Sequence, residues 1–310
     1  MHNPVFDLCD INRKAERDPR SFMAECDSSH YAKLALASAA LANAAKEKPV
    51  ALLAGPSGSG KTTTADKLAQ GLANIGVKAF VVSMDDYYLT VSDETHKKDR
   101  NGNIDYESPD ILDIPLMRAH FAALTAGEEI LVPKFDFEAQ ARREGDVMPL
   151  RLGKDEVAIY EGIHALNPRL LDPHRPAMRV YASARGNITS GGAVFFKNTW
   201  LRLVRRTVRD NNFRGASAAC TLSLWAGVRR GEKKYISPYK ELADITIDTC
   251  LPYEVNVMRS HALPLFSGIS ADLERSAELR LIAPRLEEFY PIDTAILSRK
   301  SLLREFVGFD

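Results

Sequence analysis

Val50-Ala51-Leu52-Leu53-Ala54-Gly55-Pro56-Ser57-Gly58-Ser59-Gly60-Lys61-Thr62 is an apolar run that breaks into a glycine-rich turn. The apolar part reads as a buried strand, started after Pro49. From Gly55 the turn fits G-x-x-x-x-G-K-[ST]. Downstream, Thr62 to Asn74 carries Ala65, Leu68, Ala69 and Leu72 at helical spacing, and Gly76 closes it. Strand, turn and helix in that order are what a phosphate-wrapping backbone requires. Glycines let successive N–H groups point inward, and the helix N-terminus adds partial positive charge.

This P-loop makes Gly55, Ser57, Gly58, Ser59, Gly60, Lys61, Thr62 and Thr63 the candidate nucleotide contacts. Lys61 is expected to reach the β and γ phosphates, and the Thr62 hydroxyl to ligate Mg²⁺. A turn that binds nothing is the bland alternative, and the match of both flanks weighs against it. A dinucleotide fingerprint fits worse, because Thr63 stands where its third glycine is needed. Guanine specificity usually needs Asn-Lys-x-Asp, and the chain has no Asn-Lys dipeptide.

Working outward, a helix is expected over residues 30–47 and strands over 77–84, 156–160, 178–183 and 244–248. Further helices are expected over 114–126, 198–211 and 216–229. Residues 92–105 and 185–193 read as loops, and residues 270–310 as helical. Strands alternating with helices predict an α/β fold: a parallel sheet of the P-loop NTPase type with helices on both faces, a helical lid and helical termini. The expected organisation is an N-terminal helical extension over 1–47, a P-loop domain over 48–260 and a C-terminal helical extension over 261–310, packed on that domain.

The chain has 310 residues, with 41 Lys plus Arg against 41 Asp plus Glu, and zero formal charge argues against a general nucleic-acid binder. No apolar run approaches the ~18 residues of a membrane span. Four cysteines without CxxC spacing read as reduced cytosolic thiols, and a cytoplasmic location follows. A small-molecule acceptor is the expected partner, with no nucleic acid and no membrane. A homo-oligomer stays open.

Ligands of open α/β sheets gather at strand carboxyl ends. Two strands end there in acids: Asp85-Asp86 after Met84, and Glu161 after Tyr160. A carboxylate in that position is costly without a task or a partner. Asp85 could accept a proton from an attacking hydroxyl, and Glu161 could hold Mg²⁺. The competing reading makes each a cap or turn residue. Arg202, Arg205, Arg206 and Arg209 share one helix face, either solvated or lining an anion site. The charge run Arg229 to Lys234 reads as surface. His164 reads as a structural residue near the site.

The ordered motifs resemble the uridine kinase and phosphoribulokinase family of P-loop kinases. They are the P-loop, Ser83-Met84-Asp85-Asp86-Tyr87-Tyr88, Tyr106-Glu107-Ser108-Pro109-Asp110, Pro133-Lys134-Phe135-Asp136-Phe137, Glu161-Gly162-Ile163-His164, and Arg205-Arg206-x-x-Arg209-Asp210-x-x-x-Arg214-Gly215. Arg229-Arg230-Gly231-Glu232 with Lys234-Tyr235 is shared with bacterial uridine kinase-like proteins that carry a synthetase-like N-terminal region, where this chain has a short helical N-terminus. The resemblance implies an ATP- and Mg²⁺-dependent kinase with Asp85 as general base and Thr62 and Glu161 serving the metal. It puts Tyr88, Glu107 and Arg206 near the acceptor sugar, Phe135 by the base, and Arg209 and Arg214 on ATP phosphates. Two departures concern the acceptor. Gln140 stands where these kinases usually have a pyrimidine-reading histidine, and Phe135 replaces a tyrosine. Uridine is the expected acceptor. A sugar phosphate or vitamin precursor is the alternative within kinases, and a non-catalytic ATP-binding switch the alternative outside them.

Overall fold

The computed structural model describes residues 4–92, 98, 102, 104–172, 176–269 and 276–309. The chain opens with β1 (Val5–Asp7), α1 (Leu8–Arg17) and α2 (Pro19–Ala44). Then come β2 (Val50–Ala54), α3 (Lys61–Asn74), β3 (Ala79–Ser83), α4 (Ile114–Thr125), the hairpin β4 (Ile130–Asp136) and β5 (Ala141–Leu150), β6 (Val157–Glu161) and β7 (Met178–Ser183). A second hairpin, β8 (Asn187–Ser190) and β9 (Ala193–Phe196), precedes α5 (Asn198–Phe213) and α6 (Ala218–Gly231). A π-helical turn, Glu232–Ile236, leads through a 3₁₀ turn to β10 (Ile245–Asp248) and α7 (Glu254–Ser267). The C-terminal part holds α8 (Ser276–Leu279), α9 (Ile282–Glu287) and α10 (Arg304–Val307).

Five strands form one parallel sheet in the order β10-β7-β2-β6-β3, so β2 and its turn sit at the centre. Alternation along the strands sends side chains to two cores. Ala51, Leu53, Ile159 and Val180 pack with Leu34 and Leu41 of α2 and Leu68 of α3. Leu52, Ala54, Ala158 and Tyr160 pack with Met117 and Leu124 of α4 and Val132 of β4. A third core joins α1, α5, α6, α7 and the C-terminal segments around Trp200, Val204, Tyr253 and Phe306. The sheet is covered on both faces, as the alternating pattern implied.

Three sequence expectations change. Residues 185–193 are not a loop: Gly191 and Gly192, both at positive φ, turn β8 into β9, and β8 pairs in parallel with β1. Ile188 and Phe196 anchor this small sheet in the third core. The N-terminal helix starts at Pro19 rather than near residue 30, capped by Asp18, whose carboxylate accepts from the Ser21 N–H at 3.0 Å. Residues 276–309 form short helical pieces joined by irregular chain rather than one helical run. Most of the 92–105 loop lies outside the described residues.

Candidate active site

The P-loop crosses from the carboxyl end of β2 to the first turn of α3. Gly58 and Gly60 have φ of 73° and 79°, which only glycine adopts without strain. The turn is braced from behind by buried side chains. Arg202 donates to the Ser57 carbonyl at 3.2 Å, Arg205 to the Gly58 carbonyl at 3.4 Å, and the Thr249 hydroxyl to the Ser59 carbonyl at 2.6 Å. Side chains thus hold the carbonyls of Ser57, Gly58 and Ser59, while the Ser59 N–H closes the turn onto the Pro56 carbonyl at 3.1 Å.

Both arginines are buried, so the helix face expected to be solvated or to line an anion site is divided. Arg205 pairs with Glu254 at 2.6 Å and donates to the Thr249 carbonyl at 2.8 Å. Arg202 pairs with Glu232 at 2.8 Å, which takes the middle of the 229–234 charge run into the interior. The other arginines gather on one carboxylate. Arg206, Arg209 and Arg214 approach Asp210 at 3.2, 2.7 and 3.7 Å. Three cations around one buried anion leave surplus positive charge, and Arg206 also donates to the Ser57 hydroxyl at 2.8 Å. Surplus charge beside a phosphate-binding turn suits a polyanion.

The strand-end acids stand on the same side of the sheet. Ser83 of β3 is in register with Glu161 of β6, so Asp85 follows directly beside Glu161. Glu161 accepts from the Thr62 hydroxyl at 3.2 Å. Burial pushes its carboxyl up to about 7, with Asp85 adding to the shift and Lys61 opposing it. Asp86 is turned to structural use: Lys134 pairs with it at 2.8 Å and the Phe135 N–H donates to it at 3.4 Å, which fixes β4 beside the site.

Burial first, then the charge of Asp85 beside it, push the hydroxyl of half-buried Tyr88 well above the usual phenol range. Its ring packs edge-on against Phe135 at 5.5 Å and Phe137 at 6.2 Å, and Phe137 is 60% exposed. Glu107 is pushed up to about 7 by burial, with Arg206 opposing and Asp105 adding. Gln140 holds a φ of 51° at the hairpin turn and accepts from the Tyr106 hydroxyl at 3.3 Å. A non-glycine residue in that region is uncommon, and the exposed turn of the β4–β5 hairpin is where it is tolerated. His164 is buried, and burial lowers it to about 4, so it is neutral at pH 7.

Thus Lys61, Thr62, Asp85, Tyr88, Glu107, Glu161 and Arg206 are brought together, with Phe135 and Gln140 on the hairpin at one side. Arg209 and Arg214 join through Asp210. Magnesium takes oxygen ligands and usually completes its shell with phosphate and water. The Thr62 hydroxyl and the Glu161 carboxylate fit such a partial set. Among the described residues no group of three His, Cys, Asp or Glu is placed to hold a metal.

Thr249, Glu254 and Glu305 were not singled out from the sequence, and Glu232, read there as surface, is buried on Arg202. Thr249, Glu254 and Glu232 brace the turn, and Glu305 accepts from the Thr63 hydroxyl at 2.6 Å and its N–H at 3.3 Å. No local signal marked the braces: Arg202, Arg205, Arg206 and Arg209 share the polar side of α5, while Leu201, Leu203, Val204 and Val208 lie on the other.

The model of the phosphoribulokinase / uridine kinase family matches residues 50–255. The chain belongs to this family. It is 29% identical over 200 residues to a uridine kinase of Halobacterium salinarum, covering 63% of this chain and 77% of that protein. It is 30% identical over 198 residues to a uridine kinase of Deinococcus deserti, covering 63% and 84%. A uridine kinase of Lactobacillus helveticus is 30% identical over 208 residues, covering 65% and 87%. This family member is a kinase, a phosphotransferase that uses a nucleotide and a small-molecule acceptor. No described helix is long and apolar enough to cross a membrane.

Proposed function

We propose that this kinase transfers the γ-phosphoryl group of ATP to the primary hydroxyl of a nucleoside, with uridine as acceptor. The observation that carries the reading is the neighbourhood of Asp85. A carboxylate stands near the phosphate turn and next to Tyr88, with an exposed aromatic edge on one side and Glu107 with Arg206 on the other. A nucleoside has both halves of that pattern. Its base offers a flat face to Tyr88, Phe135 and Phe137, and its ribose hydroxyls offer donors to Glu107.

The acceptor hydroxyl gives its proton to Asp85 as its oxygen bonds the γ-phosphorus, and the bond from that phosphorus to the ADP oxygen breaks. Lys61 and the cluster of Arg206, Arg209 and Arg214 offset charge on the transferred group. Thr62 and Glu161 would hold Mg²⁺, which when bound neutralises phosphate charge. The P-loop N–H groups fix the phosphate tail, and closure near Arg214 would exclude water. These assignments are supported by the family's chemistry and by the juxtaposition of the groups. A cytoplasmic location agrees with the free thiols Cys9, Cys26, Cys220 and Cys250.

A second acceptor class is favoured by one feature. Gln140 is engaged with Tyr106 instead of standing as a base-reading histidine, and a pocket that loses a polar reader loses discrimination. A panel of nucleosides, sugar phosphates and vitamin alcohols with coupled ADP detection, run on wild type and Lys61→Ala, decides. Uridine should raise ADP release well above the no-acceptor rate in wild type alone. Turnover with another alcohol and none with any nucleoside would replace uridine.

A further inference from the structure

We propose that the π-helical turn Glu232–Ile236, with Gly231 before it, is the positioning element that sets the phosphate cradle at a fixed distance from the acceptor wall. Three neighbouring residues of this segment reach both sides. Glu232, buried, accepts from Arg202 at 2.8 and 3.1 Å and also from Arg229. Arg202 in turn donates to the Ser57 carbonyl of the P-loop. On the other side, a Cβ at Gly231 would stand 2.2 Å from the Glu107 Cβ, so only glycine admits the backbone this close. The Tyr235 hydroxyl donates to Asp105 at 3.0 Å, and the other oxygen of that carboxylate accepts the Glu107 N–H at 3.2 Å.

Single π-helical turns inside helices recur at functional sites, because the inserted residue re-aims the side chains around it. Here the re-aimed pair faces opposite ways: Glu232 toward the arginine that grips the P-loop, Tyr235 toward the loop that carries Glu107. Phosphoryl transfer depends on alignment more than on covalent help, so a fixed span between donor and acceptor is a direct contribution to rate. Glu232 and Tyr235 touch no reacting atom in this arrangement. They are positioning residues, and their role rests on the acceptor reading above.

The test uses the full chain and separates the two sides. Binding of Mg·ADP is measured by calorimetry with no acceptor present, the KM for uridine is measured by turnover, and melting curves are recorded for each variant. Tyr235→Phe removes one hydroxyl. It should raise the uridine KM by about two- to tenfold with Mg·ADP affinity within about twofold and melting unchanged. Glu232→Gln keeps shape and loses charge. It should weaken Mg·ADP by about tenfold or more, and Glu232→Asp should recover part of that loss. Gly231→Ala should raise the uridine KM more than Tyr235→Phe. If Tyr235→Phe leaves the uridine KM unmoved, or if all losses scale with the folded fraction, the turn is only structural. If wild type phosphorylates no nucleoside, the acceptor reading fails by itself. The Mg·ADP arm then still judges the turn, and unchanged affinity in Glu232→Gln overturns it.

Discussion

The proposed phosphate cradle and the proposed acceptor wall are built in opposite ways. The cradle is one uninterrupted turn, residues 55–63, with its carbonyls gripped by Arg202, Arg205 and Thr249. The wall is collected from separate stretches: Asp85 and Tyr88 after β3, Glu107 from a loop, Phe135 and Gln140 from a hairpin, and Arg206 from α5. The cradle presents backbone groups, which any sequence with the right glycines can offer. The wall presents side chains, each of which can be exchanged alone. A constant ligand, the triphosphate, suits the first construction. A variable ligand, the acceptor, suits the second.

The largest expected effects probe the line where the two meet. Asp85→Asn should lower kcat by about 10²–10⁴-fold while Mg·ATP still binds, measured by coupled ADP release beside calorimetry. Lys61→Ala should cost about 10²–10³-fold. If Asp85→Asn instead left turnover intact, the wall would not contain the base and the contrast would collapse.

Next in size is the brace behind the cradle. Arg205→Met leaves Glu254 buried and unpaired, which should cost about 3–5 kcal/mol in urea unfolding. The double variant Arg205→Met with Glu254→Leu should recover most of it, because two apolar groups need no partner. No wall substitution that leaves the hydrophobic cores intact should cost as much.

A smaller effect is pH dependence. Glu107 and Glu161 both sit at about 7 in the folded protein, above the ordinary glutamate value, because burial disfavours their charge. Between the ordinary value and about 7 the folded state binds more protons than the unfolded one. Their contribution to stability is therefore full in acid and is lost as pH rises through about 7. Melting temperature without ligand should fall across that window, and Glu161→Gln should flatten part of the fall. The uridine KM should improve over the same range as Glu107 ionises.

The smallest effect concerns Glu305, whose carboxylate occupies the Thr63 hydroxyl and N–H that a nucleotide phosphate would use. Glu305→Gln should tighten the ATP KM by about two- to tenfold and leave the uridine KM unchanged. A shift in the uridine KM instead would show that cradle and wall are less separate than drawn.

The two regions also differ in how far the sequence displayed them. The strand-turn-helix of residues 50–74 was legible because its information is local: an apolar run, glycines at fixed offsets, then helical spacing. The strand-end acids were legible because topology places them. The hidden parts were the long-range ones. Glu254 lies 49 residues from Arg205 and Glu232 lies 30 from Arg202, and no local pattern ties either pair together. The β8–β9 hairpin was missed for a related reason: its strands are four residues each, and its neighbour β1 is at the other end of the chain.

By itself the sequence determined the α/β architecture, the phosphate turn and the carboxylates that follow the strands. Backbone conformation and side-chain alternation are local physics, written within a few residues. Only the tertiary structure decided which arginines brace the turn and which gather on Asp210, and that Gly231 is pressed against Glu107. A charged side chain far from its partner in sequence has its role set by the partner it meets when buried, and burial is a property of the packed whole.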